Sequence, residues 1–126
     1  MKTLPNGITV FNATPHAITF WREDWIEPID VPTDAVINAT PAEELVRDAS
    51  GIQFVRTLFL ANEAGRSILS DALWEAERQQ LNVVVVGSII AAQAYPGDVV
   101  AMVPASGFER VPPTEKRMRP DKFTMF

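Results

Sequence analysis

Apolar and polar residues alternate in several short runs of the chain, a pattern typical of half-buried β-strands. Residues 8–12 and 17–21 predict two strands separated by Pro15, which cannot donate to a β-ladder. Residues 52–60 are rich in β-branched and aromatic side chains and predict a third. Residues 98–103 are also predominantly apolar and predict a later strand.

Three segments carry other hydrophobic patterns. In residues 67–80, Leu69, Leu73 and Ala76 recur at helical spacing and predict an amphipathic helix. Residues 83–86 are four consecutive valines, which predict a central strand buried on both faces. Residues 89–94 predict a short apolar helix that ends before the following Pro-Gly pair.

The remaining segments carry turn and capping signals. Residues 22–33 hold four acids and two prolines and predict a surface loop, whereas residues 35–39 predict a short strand. Thr40 and Pro41 predict the N-cap and first position of a helical turn. Residues 62–65 predict a loop, and residues 104–126, with four prolines, predict little regular structure.

Together these elements predict a single α+β domain over residues 1–126. We expect a mostly antiparallel sheet with two or three helices packed on it. Residues 110–126 form a basic, proline-rich C-terminal segment. We expect this segment to pack on the domain or on a neighbouring subunit.

Composition and charge exclude several classes of site. The chain of 126 residues has no cysteine, which excludes disulfides, thiolate zinc sites and a cysteine nucleophile. Its single histidine excludes a metal site built from several histidines of one chain. A net charge of -5 disfavours binding to a nucleic-acid backbone. We therefore expect no metal, no cofactor and no polymeric nucleic-acid partner.

The N-terminal residues contain no apolar signal segment, so we expect a cytoplasmic protein. The most apolar stretch, residues 81–94, is too short to span a bilayer and contains four interrupting residues. We therefore expect no membrane partner.

The charge is distributed unevenly along the chain. Residues 109–126 hold five of the eleven bases and three of the sixteen acids, so their net charge is +2 against -7 for residues 1–108. Phenylalanines at 108, 123 and 126 lie among these bases. Arginine binds phosphate with two parallel hydrogen bonds, and aromatic rings stack on bases. The segment therefore predicts a site for a small phosphorylated nucleotide; alternatively, its bases pair with acids of residues 1–108 and fix the tail.

Two further positions have a functional and a structural interpretation. The Gly87-Ser88 turn lies between a predicted strand and a predicted helix, where free backbone N–H groups favour an anion. Alternatively, Gly87 permits close packing and Ser88 caps the helix. His16 is a candidate general base, or it orders the turn after Thr14-Pro15. Anchors of the core or of an interface are expected at Trp21, Trp25 and Trp74.

The segment Asn12-Ala13-Thr14-Pro15-His16-Ala17-Ile18 resembles the start of a group of small bacteriophage proteins, in which a strand is followed by Asn-Leu-Thr-Pro-His. Later features of the group are matched by Thr57-Leu58-Phe59 and by residues 87–94, which are followed by Asp98. The group is similar to the phage Thoeris anti-defence family. Members of that family are not enzymes; they bind and hold glyco-cyclic ADP-ribose signals made by host TIR-domain immune proteins.

The resemblance implies an α+β fold, a homo-oligomer acting in the host cytoplasm during infection, and a nucleotide pocket lined by arginines and an aromatic residue. Thr14, Pro15 and His16 form the structural motif of the resemblance. Groups able to hold the diphosphate, the adenine and the ribose hydroxyls are present at Arg56, Arg110, Arg117, Arg119, Phe108, Tyr95, Gln93, Asn12 and Asn38.

Two other functions remain open from the sequence. One is an enzyme that hydrolyses such a nucleotide with His16 or Asp98 as its base. The other is a structural or interaction accessory protein of a phage that has no small ligand.

Overall fold

The computed structural model describes all residues from Met1 to Phe126 as a single small domain, built mainly of β-strands with two α-helices. The helices are α1 (Glu63–Arg78) and α2 (Ile89–Ala94), and a short 3-10 turn covers Pro113–Glu115. The strands in chain order are β1 (Lys2–Thr3), β2 (Thr9–Asn12), β3 (Ile18–Phe20), β4 (Ile29–Val31), β5 (Thr40–Ala49), β6 (Ile52–Leu60), β7 (Val83–Gly87), β8 (Val99–Pro104) and β9 (Met118–Thr124).

Seven strands form one sheet in the order β1-β2-β7-β8-β9-β3-β4. The pairs β2–β7, β7–β8 and β3–β9 are parallel, and the other three pairs are antiparallel. The sheet is therefore mixed, and the expectation of a mostly antiparallel sheet is wrong for it. The physical reason is α2, which joins β7 to β8: a crossover through a helix returns the chain in the same direction. The α+β class is compatible with this architecture.

The two edge strands of this sheet approach each other, so that the sheet is nearly closed. The side chain of Lys2 in β1 donates to the backbone oxygen of Asp30 in β4 at 2.7 Å. The amino group of Met1 contacts the carboxylate of Asp34 at 2.7 Å. A sheet that curls in this way turns one face inward and the other outward.

The predicted burial of β7 on both faces is confirmed for Val85 and Val86, whereas Val83 and Val84 are half-buried. Val86 packs inside the curled sheet and Val85 packs outside, beneath the helices. The inner cluster consists of Leu4, Val10, Ile18, Phe20, Val31, Val86 and Val100. The outer cluster consists of Ala13, Ile37, Leu69, Val85, Ala91, Ala92, Tyr95, Val99 and Ala101.

Strands β5 and β6 form a separate two-stranded antiparallel hairpin. The predicted helical turn at Thr40 and Pro41 is wrong, because this segment pairs with β6 along its whole length. The strand predicted over residues 52–60 is confirmed. Ser50 and Gly51 connect the strands with φ of 56° and 76°, the left-handed pair of values that suits a tight hairpin turn.

Other boundaries differ from the sequence predictions where the partner of a segment is distant. Helix α1 begins at Glu63 because the side chain of Asn62 caps it, accepting from the backbone N–H of Gly65 at 2.8 Å. The predicted loop over residues 22–33 contains β4, and the predicted irregular tail contains β9. The strand predicted over residues 35–39 is absent. Helix α2 is confirmed, and neither helix has the length and apolar character that a membrane span requires.

Candidate functional site

One arginine of the C-terminal segment lies against two aromatic rings. The guanidinium carbon of Arg117 is 5.2 Å from the ring centroid of Trp21 and 4.9 Å from that of Phe108. The two rings contact each other edge to face, with centroids 5.9 Å apart and planes inclined at 65°. Arg117 belongs to none of the five ion pairs of the chain. We call these three residues the Arg117 cluster.

Pairing of distant strands assembles the cluster. Trp21 follows β3, and its backbone N–H donates to the oxygen of Met118 at 3.0 Å, which places its ring beside the start of β9. The backbone oxygen of Arg117 accepts from Ala105 at 2.8 Å. A turn closed by the bond from the N–H of Phe108 to the oxygen of Ala105, 3.0 Å, carries Phe108 onto the other two side chains.

The cluster lies between two clefts. The larger has a volume of about 730 Å³ and includes Trp21, Arg22 and Arg119 in its wall. The smaller has a volume of about 450 Å³ and includes Phe108, Lys116 and Arg117. Both volumes fall within the range of small-molecule sites in proteins.

The two clefts differ in charge. The larger is lined by three bases, Arg22, Arg119 and Lys122, and by four acids, so its net charge is -1. The acids are Glu23, Asp24, Glu109 and Asp121. The smaller is lined by Lys116 and Arg117 against Glu115, which leaves +1. The positive charge that is open to an anion therefore lies on the side of the smaller cleft.

The arginines of the larger cleft already have carboxylate partners. Arg119 donates to both oxygens of Asp121, at 3.0 and 3.2 Å, and Arg22 makes the same two-pronged contact with Asp24 at 3.0 and 3.2 Å. The bonds from Arg119 hold the pKa of Asp121 below its ordinary value of 3.8 and raise the pKa of Arg119. Each guanidinium has five N–H donors, so further donors remain for a second acceptor.

The structure brings some of the predicted ligand residues together. Phe108 and Arg117 are in contact, and Arg119 lines the adjoining larger cleft. Arg110 is exposed and lines neither cleft. Trp21, which the sequence pattern placed among the core or interface anchors, completes the cluster. Only the pairing of β3 with β9 reveals its position.

Asn12 lies in the core, with all its polar atoms bonded to neighbouring chain segments. Its side-chain N–H₂ donates to the oxygens of His16 and Val31, both at 2.9 Å. The side-chain oxygen of Asn12 accepts two hydrogen bonds from Thr14, one from the backbone N–H at 2.9 Å and one from the hydroxyl at 2.6 Å. The Asn-x-Thr-Pro-His segment is therefore a hydrogen-bonded turn between β2 and β3. His16 contributes its backbone oxygen to this turn, while its imidazole makes no hydrogen bond.

Tyr95 is also buried, and its hydroxyl joins α2 to both ends of the hairpin. It accepts from the backbone N–H of Asn62 at 3.0 Å and lies 3.3 Å from the backbone oxygen of Asn38. Asn38 precedes β5 and Asn62 follows β6. The Tyr95 hydroxyl is therefore occupied by the stem of the hairpin.

The remaining candidates are dispersed. Gln93 is exposed on α2, and Arg56 lies in the hairpin with its guanidinium 3.7 Å from the carboxylate of Glu44. His16 and Asp98 are exposed and line neither cleft. No group of three or more His, Cys, Asp or Glu side chains could hold a metal ion.

The Gly87-Ser88 turn has the features of its structural interpretation. The hydroxyl of Ser88 accepts from the backbone N–H of Ala91 at 3.1 Å and so caps α2. A β-carbon at Gly87 would lie 2.7 Å from the Cγ1 atom of Val99, which is too close for any larger residue. Gly87 therefore permits the close packing of β7 against β8.

No protein-family model matches the chain, and neither a curated protein nor a solved structure matches it.

Proposed function

We propose that this protein binds a small phosphorylated aromatic ligand of the nucleotide class at the Arg117 cluster, and that it holds the ligand without turning it over. The observation that carries the proposal is the position of Arg117, against Trp21 and Phe108 and without a carboxylate partner. An unpaired guanidinium binds phosphate with two parallel hydrogen bonds, and neighbouring aromatic rings offer stacking surfaces to a base.

The charges of the two clefts favour one orientation of such a ligand. The phosphates would lie in the smaller cleft, where Lys116 and Arg117 outnumber Glu115. The base would lie against Trp21 in the larger cleft, whose net charge is negative. Arg119 is held by Asp121 in the larger cleft and would offer its remaining donors to the ribose or to a second phosphate.

Within this class, a cyclic ADP-ribose isomer fits the proposal best. It presents two phosphates and an adenine, and the resemblance of residues 12–18 to the phage Thoeris anti-defence family points to the same ligand. The protein would then act in the host cytoplasm as an anti-defence protein that sequesters a cyclic nucleotide signal. The positions of the candidate bases favour sequestration over hydrolysis, since His16 and Asp98 line neither cleft.

Calorimetric titration with ADP-ribose and with cyclic ADP-ribose isomers tests the site. Replacing Arg117 by Ala should weaken binding about 10- to 100-fold, because a hydrogen bond to a charged group contributes about 1.5–3 kcal/mol. Arg110→Ala is the matched control, since Arg110 is an exposed arginine of the same segment outside both clefts. No binding by the unmodified protein, or equal losses in both variants, would contradict the proposal.

A second measurement separates holding from hydrolysis. The complex is heated until the protein unfolds, and the released nucleotide is analysed by mass spectrometry. Intact nucleotide in stoichiometric amount is expected for a protein that sequesters its ligand. Hydrolysed nucleotide would show an enzyme, whereas thermal stability unchanged by any nucleotide would favour an accessory protein with no small ligand.

A further inference from the structure

The β5–β6 hairpin exposes more apolar surface than its own fold can cover. Seven of its large apolar side chains are exposed, with fractions from 40% at Leu58 to 56% at Ile52. The full set is Leu45, Val46, Ile52, Phe54, Val55, Leu58 and Leu60. A two-stranded hairpin is marginally stable in water by itself, so a hairpin of this composition needs a covering surface.

The apolar residues are concentrated on one face of β6. Side chains alternate between the faces of a strand, so Ile52, Phe54, Leu58 and Leu60 lie on the same face, with Arg56 in the middle. The hairpin meets the rest of the domain at α2. Helix α2 carries its own exposed pair, Ile89 at 61% and Ile90 at 44%.

The two free edges of the hairpin differ. The β5 edge contains Pro41 and a register shift between Leu45 and Arg47, together with three acids. Prolines, bulges and charges are the devices by which proteins prevent pairing at an exposed edge. The β6 edge has nine residues, no proline, no register shift and one charged residue, Arg56. Only the β5 edge is therefore protected.

We propose that β6 pairs antiparallel with β6 of a second copy of this chain, so that two hairpins form a four-stranded sheet about a two-fold axis. Antiparallel pairing carries the tip of each hairpin toward the base of the other. The tip residues Ile52 and Phe54 would then cover Ile89 and Ile90 of the second copy. This arrangement uses both exposed apolar sets, and it does not depend on the function proposed above.

Area and charge both favour a second copy as the partner. The six apolar side chains that this arrangement covers, four of β6 and Ile89 and Ile90 of α2, expose roughly 500 Å² per copy, and the paired β6 backbones bring the buried area toward the about 800 Å² that each partner of a standard interface buries. The surface carries both signs of charge, with Arg47 and Arg56 beside Glu44. A two-fold axis sets this surface against a copy with the same mixture of charges, so that no single sign of charge accumulates at the interface.

Charge also limits the register. An axis through Arg56 would set two arginines directly opposite each other, which is destabilising. An axis through Val55 instead sets Arg56 of each copy opposite Phe54 of the other, a favourable cation–aromatic pair, and sets Leu58 opposite Ile52. We expect this register.

Sedimentation of the purified protein at up to about 100 µM gives the first test, and a dimer is expected. Phe54→Lys should raise the dimer dissociation constant at least tenfold, because it adds a charge to the pairing edge. The matched control is Trp74→Lys, which changes a side chain of α1 that is 63% exposed and lies outside the proposed interface. An unchanged circular dichroism spectrum of Phe54→Lys shows that dissociation does not come from unfolding.

Disulfide cross-linking locates the axis, because the chain has no cysteine of its own. Single cysteines are placed at positions 53 to 57 of β6 and, as controls, at positions 43 and 48 of β5. A disulfide needs a Cα separation of about 4.4–6.8 Å, which a two-fold antiparallel pair offers only beside the axis. Cross-linking at position 55 is expected. A monomer at every concentration, dissociation of the control variant, or cross-links through β5 would overturn the proposal.

Discussion

Strands β7 and β6 are both predicted from their strand-favouring residues, but their environments are opposite. Both are rich in β-branched residues, yet Val86 of β7 is completely buried whereas Val55 of β6 is 44% exposed. Strand β7 is paired on both sides, by β2 and β8, and lies beneath the helices. Strand β6 is paired only with β5. The local pattern therefore indicates that a strand forms, but the neighbours determine whether it belongs to a core.

This difference divides the molecule into two energetic regions. The curled sheet and its helices bury two apolar clusters within one chain, so their stability is a property of the monomer. The hairpin buries little within its own chain and is joined to the domain by α2 and the hydroxyl of Tyr95. Its stability depends on what covers it.

The largest expected effect comes from one substitution made in each region. Phe20→Ala in the inner cluster should lower the free energy of unfolding by about 3–5 kcal/mol, because Phe20 is completely buried. Phe54→Ala in the hairpin should lower it by at most about 1 kcal/mol when measured on the dissociated monomer. Urea unfolding of both variants at low protein concentration provides the comparison. Equal losses would show that the hairpin is part of the monomer core.

Asn12 tests whether the predicted motif stabilises the domain. Asn12→Ala should lower the free energy of unfolding by about 2–4 kcal/mol, because in a buried region it removes the amide donor of the backbone oxygens of His16 and Val31 and the acceptor of the backbone N–H of Thr14. Chemical denaturation measures the loss. His16→Ala is the control, since its imidazole makes no hydrogen bond, and we expect a change within about 0.5 kcal/mol. A loss of unfolding free energy above about 0.5 kcal/mol for His16→Ala would show that the imidazole also stabilises the turn.

Tyr95→Phe acts at the junction of the two regions. The phenyl ring keeps the packing of the outer cluster, but the N–H of Asn62 loses its acceptor, at a cost of about 1–2 kcal/mol. We expect faster amide hydrogen exchange in β5 and β6, while exchange in β7 and β8 stays unchanged. Uniform acceleration across the whole chain would show that the hairpin and the sheet open as one unit.

The sequence predicts those elements whose pattern is local. The valine run of β7, the periodic apolar residues of α1 and the β-branched and aromatic residues of β6 each carry their signal within the element itself. The predicted helical turn at Thr40 is wrong because a good N-terminal helix signal is outweighed by pairing with β6. Strand β9 is not predicted because its residues do not alternate regularly and its partners, β3 and β8, lie far along the chain.

The candidate site follows the same rule. Phe108 and Arg117 are near each other in the sequence, and their chemistry alone indicates a site. Trp21 is almost a hundred residues from Arg117 and joins it only through the pairing of β3 with β9. Tyr95 and Asn12 have side chains suited to a ligand, but burial commits them to the hairpin stem and to the β2–β3 turn. Composition shows which groups are available, and only the topology shows which of them converge.

The smallest expected effect is the change in Tm when one ion pair is removed from each region. The bonds from Arg119 lower the pKa of Asp121 in the folded protein, so the pair stabilises the fold fully above the ordinary value of 3.8. This contribution is lost as the pH falls through the lower folded-state pKa. Asp121→Asn should therefore reduce the Tm by at most about 2 °C near neutral pH, and the difference from the unmodified protein should vanish in strong acid. Glu44→Gln in the hairpin should change the Tm less at neutral pH, because its carboxylate lies 3.7 Å from Arg56, beyond hydrogen-bond distance. A difference for Asp121→Asn that persists below the folded-state pKa would show that the asparagine disturbs β9 rather than the charge pair.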